Sequence, residues 1–111
     1  MSNLINQYIN FKNGVITYNE LSELDLEKTL KEQIDLLKED MLQVEYKNNI
    51  LLDVGWFPSF SLKGSFRITI VQNFDWESPL RLKKTKKLNE LIEILNSEAA
   101  LLSTHDSGAG S

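Results

Sequence analysis

Residues 50–71 constrain this chain more than any other stretch. Ile50, Leu52, Val54 and Trp56 alternate with Leu51, Asp53, Gly55 and Phe57. After the loop 58–64, Phe66, Ile68 and Ile70 alternate with Arg67, Thr69 and Val71. A two-residue period marks extended strands with one face turned inward. Parity then limits how the strands pair, because a one-residue slip sends every apolar side chain to the wrong face. A partner sum of 122 sets Trp56 opposite Phe66, Val54 opposite Ile68 and Leu52 opposite Ile70. The preceding strand, with Leu42, Val44 and Tyr46 inward, needs an even sum such as 96. A two-residue turn at Asn48-Asn49 gives an odd sum, so a loop of about three to five residues or a bulge is expected there.

The flanks read as helices. Leu26, Leu30, Ile34, Leu37 and Met41 recur at helical steps, predicting a helix over 22–40 capped by Ser22, with Asp25 as a weak capping-box partner. Leu88, Leu91, Ile92 and Leu95 predict a second, extended by Ala99 and Leu102. Residues 1–20 combine a short amphipathic pattern (Leu4, Ile5, Tyr8, Ile9, Phe11), a turn at Asn13-Gly14 and a short strand over 15–18. Residues 73–79 read as a linker, and Ser78-Pro79 suits a helix start. The expectation is one α+β domain over 1–102. In it a three-stranded antiparallel meander packs in two layers against an N-terminal and a C-terminal helix. The tail 103–111 is small and polar, reads as disordered, and ends in GAGS like a cloning remnant.

Composition removes several kinds of chemistry. There is no cysteine, so no disulfide framework, thiolate nucleophile or thiolate zinc site. The single histidine, His105, lies in the tail, where nothing holds a general base. Glycines occur singly at Gly14, Gly55 and Gly64, so no phosphate-cradling loop is present before the tail. No apolar run approaches the ~20 residues needed to cross a bilayer, and the first residues lack a signal-peptide pattern. A cytoplasmic protein without cofactor or metal is expected.

The formal charge of −4 hides an asymmetry. Residues 1–60 carry net −5 and residues 61–111 net +1. Arg81, Lys83, Lys84, Lys86 and Lys87 form a basic stretch that suits phosphate or nucleic acid. Against that reading, the whole chain is acidic and no aromatic residue interleaves with the lysines. Cations in a helix's first turn also oppose its dipole by roughly 0.3–1 kcal/mol each, so the helix is expected to start after Lys87 or to be offset by acids. Two aromatic-acidic segments, DVGWFPSF (53–60) and NFDWE (73–77), hold both tryptophans. Trp56 faces the core by parity. Asp53 lies on the opposite face with Glu45, Lys47, Leu51, Phe57, Arg67, Thr69 and Val71, and can pair with Arg67 or Thr69. That face is either an exposed interface or covered by the first 20 residues.

The segment LLDVGWFPSFSLKGSFRITIVQNFDWESP, followed by KKTKKLNELIEIL, resembles small immunity proteins of bacterial polymorphic toxin systems, including contact-dependent growth inhibition. The likeness spans roughly residues 30–97. It lies in the D-V-G-W-F-P strand end, the loop with Gly64, the alternating strand, D-W-E-x-P and the Lys-rich, Leu/Ile-rich last helix. The resemblance implies a non-enzymatic inhibitor that binds the C-terminal domain of a cognate toxin, often a basic nuclease. Glu32, Asp35, Glu39, Asp75 and Glu77 are the expected charged contacts, with Phe57 and Trp76 as aromatic anchors. The alternatives are a nucleic-acid or phosphate-binding regulator using Arg81 to Lys87, and a small enzyme built on a carboxylate pair.

Overall fold

The computed structural model describes residues 7–108. It is α+β, with five antiparallel strands in sequential order and one long helix. The strands are β1 (Val15–Asn19), β2 (Leu42–Tyr46), β3 (Ile50–Phe57), β4 (Ser65–Gln72) and β5 (Arg81–Thr85). The helix α1 spans Leu88–Gly108. The expected amphipathic segment at the N-terminus falls partly on residues 1–6, outside the described residues. Within it Ile9 and Phe11 are buried and Tyr8 is exposed.

Register follows the parity argument. Tyr46 pairs with Ile50 and Leu42 with Val54, a sum of 96 across the three-residue loop 47–49. Asn48 and Asn49 both adopt left-handed backbone there, φ 67° and 60°, a conformation asparagine tolerates. Trp56 pairs with Phe66 and Leu52 with Ile70, a sum of 122. The resulting face holds Leu42, Val44, Leu52, Val54, Trp56, Phe66, Ile68 and Ile70, all at most 2% exposed. Trp56 and Phe66 meet edge to face, centroids 4.9 Å apart. Leu91, Leu95, Ala99 and Leu102 of α1 close this core together with Leu21, Leu24, Leu37 and Met41.

Three expectations are corrected. The sheet has five strands, not three: the 15–18 segment is β1, and β5 lies where a linker and helix start were expected. In β5, Arg81, Lys83 and Thr85 pair with the core-facing Ile70, Ile68 and Phe66, while Leu82 and Lys84 pair with Thr69 and Arg67 of the other face. Lysines on an edge strand discourage pairing with another chain, which disguises the strand as a helix approach. Because α1 starts at Leu88, after the lysines, the conflict with the helix dipole is avoided.

The second correction is the helix over 22–40. Residues 20–41 form two short 3₁₀ turns, Leu21–Glu23 and Lys31–Leu36, the latter broken at Gln33 with φ −126°. Side chains take the backbone bonds a helix ladder would need. Buried Gln33 donates from Nε2 to the Asp25 and Lys28 carbonyls and accepts from the Asp25 N–H. Thr29 and Glu32 cap each other's N–H reciprocally, so the capping box sits there and not at Ser22. The apolar repeat remains valid as a burial pattern, since Leu37 and Met41 are fully buried.

Third, the polar tail was expected from residue 103, but α1 continues to Gly108 and carries His105 within it. Among the described residues, no helix is long and apolar enough to cross a membrane.

Candidate functional site

Among the described residues, the face of the sheet opposite the core is bordered by the 73–80 loop that leads into β5, whose Trp76 and Pro79 line a hollow with Asp53, Phe57, Arg67 and Thr69. Beneath this loop Leu51, Thr69 and Val71 are buried, whereas Asp53, Phe57 and Arg67 stay half-buried. Backbone bonds pin the loop in place. Asn73 N–H donates to the Asn49 carbonyl (2.9 Å), and Asn49 Nδ2 donates to Asn73 Oδ1 (3.1 Å). Asn73 and Phe74 then turn through left-handed backbone, φ 57° and 58°. For phenylalanine that conformation stores about 1–3 kcal/mol, and it presents Phe74 and Trp76 68% and 47% exposed.

Gly55 shapes the opposite rim. Trp56 N–H donates to the Lys38 carbonyl and Met41 N–H to the Val54 carbonyl, so Glu39 and Asp40 bulge out between the two bonds. A Cβ on Gly55 would lie 1.9 Å from the Glu39 carbonyl oxygen, a separation no side chain survives. The bulge makes Asp40 the shared wall of two hollows. One, about 400 Å³, lies over the open face between Asp40, Gln43, Asp53, Phe57, Arg67, Thr69, Trp76, Pro79 and Leu82. The other, about 360 Å³, lies between Tyr18, Glu20, Lys38, Glu39, Asp40, Ser59 and Phe60.

The charges in the first hollow are not matched to each other. Asp53 Oδ1 accepts from Gln43 Nε2 (3.1 Å) and forms no ion pair among the described residues. Burial raises its carboxyl above the ordinary range, the Gln43 bond opposes this, and the Asp40 charge adds to the rise. Arg67 has Asp53 and Phe57 as diagonal neighbours on β3. It lies over the Phe57 ring, guanidinium carbon 4.5 Å from the centroid, and its buried Nε has no partner. The expected Asp53–Arg67 pair is therefore absent, and Thr69 faces Asp53 only as its register partner. In the second hollow Lys38 Nζ meets Glu20 at 2.9 Å, which lowers the Glu20 carboxyl.

The expected contact residues divide into groups. Phe57 and Trp76 line the first hollow and Glu39 the second, while Asp75 and Glu77 are exposed on the loop beside Trp76. Glu32 and Asp35 are exposed on the Lys31–Leu36 turn and line neither hollow, and Glu32 is already occupied as a cap. Sequence reasoning passed over Asp40, Tyr18 and Phe60 and gave Asp53 and Arg67 a bland pairing. The usable signals were a glycine and an aspartate inside a strand.

The basic stretch is partly consumed inside the fold. Glu98 of α1, 1% exposed, takes Arg81 at 2.7 Å on one oxygen and Lys83 at 3.0 Å on the other, the latter contact lacking hydrogen-bond alignment. Thr85 accepts from Lys87 N–H and bonds Glu90 in the first turn of α1. Glu90 and Glu93 line the surface beside Lys83 and Lys84. Among the described residues, no group of three histidine, aspartate or glutamate side chains is placed to hold a metal.

No protein-family model matches the chain, and neither curated proteins nor solved structures yield a similar one.

Proposed function

We propose that the protein is a stoichiometric inhibitor that binds a basic toxin domain, a nuclease by class, through the open sheet face, as an immunity protein does. One observation carries this reading. Exposed aromatics (Tyr18, Phe60 and Trp76) and acids (Glu39 and Asp40) line two hollows that share Asp40, and Asp75 and Glu77 are exposed on the loop beside Trp76. Aromatic anchors among charges with an acidic surplus are the composition of a protein-binding surface that also steers its partner. The resemblance of residues 30–97 to immunity proteins points the same way.

The nucleic-acid reading is less favoured, because Glu98 holds two of the five cations and Glu90 and Glu93 lie beside a third, Lys84. An enzymatic carboxylate pair has Asp40 and Asp53 lining one hollow, and among the described residues no histidine lines it with them.

The test pairs this chain with the toxin domain encoded by an adjoining reading frame. Stopped-flow association at low salt should slow on Glu39→Lys or Asp75→Lys, and Trp76→Ala should speed dissociation. Rates unchanged by all three substitutions would remove this surface from the interaction, and failure to protect cells expressing the toxin would remove the function.

A further inference from the structure

The hollow over the open face has the features of a receptor for one side chain. It holds about 400 Å³, near the lower end of the ~300–1,000 Å³ range of ligand pockets. Two carboxylates, Asp40 and Asp53, line it against a single guanidinium. That guanidinium is already applied to the Phe57 ring, so Asp53 keeps one oxygen without a protein donor. Trp76, nearly half exposed, supplies an aromatic wall beside them. A half-buried carboxylate lacking a counter-ion, next to an exposed indole, is matched by an alkylammonium or guanidinium group. A basic side chain on the partner's surface supplies such a group, in keeping with the acidic surplus of this face.

Resting on the protein-binding reading above, we propose that this hollow receives a lysine or arginine side chain of the partner, its cation on Asp53 and Asp40 against Trp76. The partner's basic surface then contributes one inserted residue as well as diffuse attraction.

The probes are capped tripeptides, acetyl-Gly-Arg-Gly-amide and acetyl-Gly-Lys-Gly-amide, with acetyl-Gly-Glu-Gly-amide and spermidine as comparisons. Each is titrated into the ¹⁵N-labelled protein and followed by NMR. The Trp76 indole N–H and the Asp53, Arg67 and Thr69 amides should shift and saturate with at least one basic peptide. The Trp56 indole, buried and bonded to the Ser61 carbonyl, serves as an internal reference that stays still. Asp53→Asn should weaken the basic peptide about tenfold, in line with the loss of a charge-assisted bond, and Asp40→Asn should weaken it less. Saturation by the glutamate peptide, spermidine binding tighter than both basic peptides, no saturating shift with either basic peptide, or equal affinity in Asp53→Asn each overturns the proposal. None of these outcomes depends on the toxin, so this assignment can fail while the inhibitor function stands.

Discussion

Asp53 and Val54 are neighbours on β3 and show how differently the two faces of one sheet are built. Val54 is fully buried opposite Ile68, and every neighbour on its side is apolar. Asp53 is half-buried beside a bonded glutamine, with a guanidinium in the same hollow that does not pair with it. On the core face shape complementarity is nearly complete and each side chain is held by several others. On the open face several polar groups are left with unused bonding capacity. Such groups lower stability unless something else satisfies them. The contrast predicts that substitutions on one face change folding and on the other change binding, even between adjacent residues.

The largest effect should come from Phe66→Ala. It removes the ring packed edge to face on Trp56 and leaves a cavity in the centre of the core, an expected loss of about 3–5 kcal/mol. Arg67→Ala, one residue along, removes a cation–π contact at a partly exposed site, and about 1 kcal/mol is expected. Urea denaturation of both variants checks the comparison; similar losses would mean that the open face is as tightly integrated as the core.

Next in size is the ion cluster at β5, in which Glu98 is buried and Arg81 and Lys83 stay partly exposed. Arg81→Met with Lys83→Met leaves Glu98 charged, buried and unpaired, which should cost about 3 kcal/mol. Adding Glu98→Met should recover most of it, since replacing the buried charge together with its partners by apolar groups is close to neutral. If the double variant unfolds at the wild-type urea midpoint, Arg81 and Lys83 are free surface cations and the nucleic-acid reading gains ground.

How much of this was legible beforehand follows the same division. Strong alternation with a single apolar face made β3 and β4, their register and the buried Trp56 readable, because a two-residue period admits few pairings. The chain over 22–40 misled because helical spacing reports only which residues are buried. The bonds of Gln33, Thr29 and Glu32 that replace a helix ladder leave no periodic trace. β5 misled because Arg81 and Lys83 face inward toward an acid seventeen and fifteen residues later, a long-range pairing that no local window contains. Of the candidate site, Phe57, Trp76 and Glu39, expected as contacts, line the two hollows. Asp40 was missed, because its position depends on how the chain bulges past Gly55.

A pH experiment probes the core face at its end. Tyr46 donates its hydroxyl to the Phe11 carbonyl at 2.8 Å, and burial pushes its phenol up to about 12. The folded value lies above the unfolded one near 10, so the folded chain keeps a proton that the unfolded chain releases. Its contribution is therefore complete below pH 10 and is lost as pH rises toward 12, on the order of 2 kcal/mol in all. Tyr46→Phe should flatten the fall in urea midpoint between pH 9 and pH 11, after a pH-independent loss of about 1 kcal/mol from the missing bond.

The smallest stability effect, and the sharpest contrast between the faces, is expected at Asp53. Its folded carboxyl is raised by burial, so the folded state holds that proton more tightly than the unfolded state does. Ionisation at neutral pH consequently works against folding, and stability from this group is present at low pH and lost as pH rises through its folded value. Asparagine keeps the shape and an acceptor for Gln43 while removing the charge. Asp53→Asn should therefore leave the melting temperature at pH 7 unchanged or slightly higher, and the gap to wild type should narrow on acidification. The same variant should bind the basic peptides and the toxin domain more weakly. Val54→Ala, its neighbour, should do the reverse, lowering the melting temperature while leaving the affinity of the remaining folded protein intact. If Asp53→Asn instead melts well below wild type, the carboxylate is a structural group of the sheet, and the division between a packing face and a binding face fails at its centre.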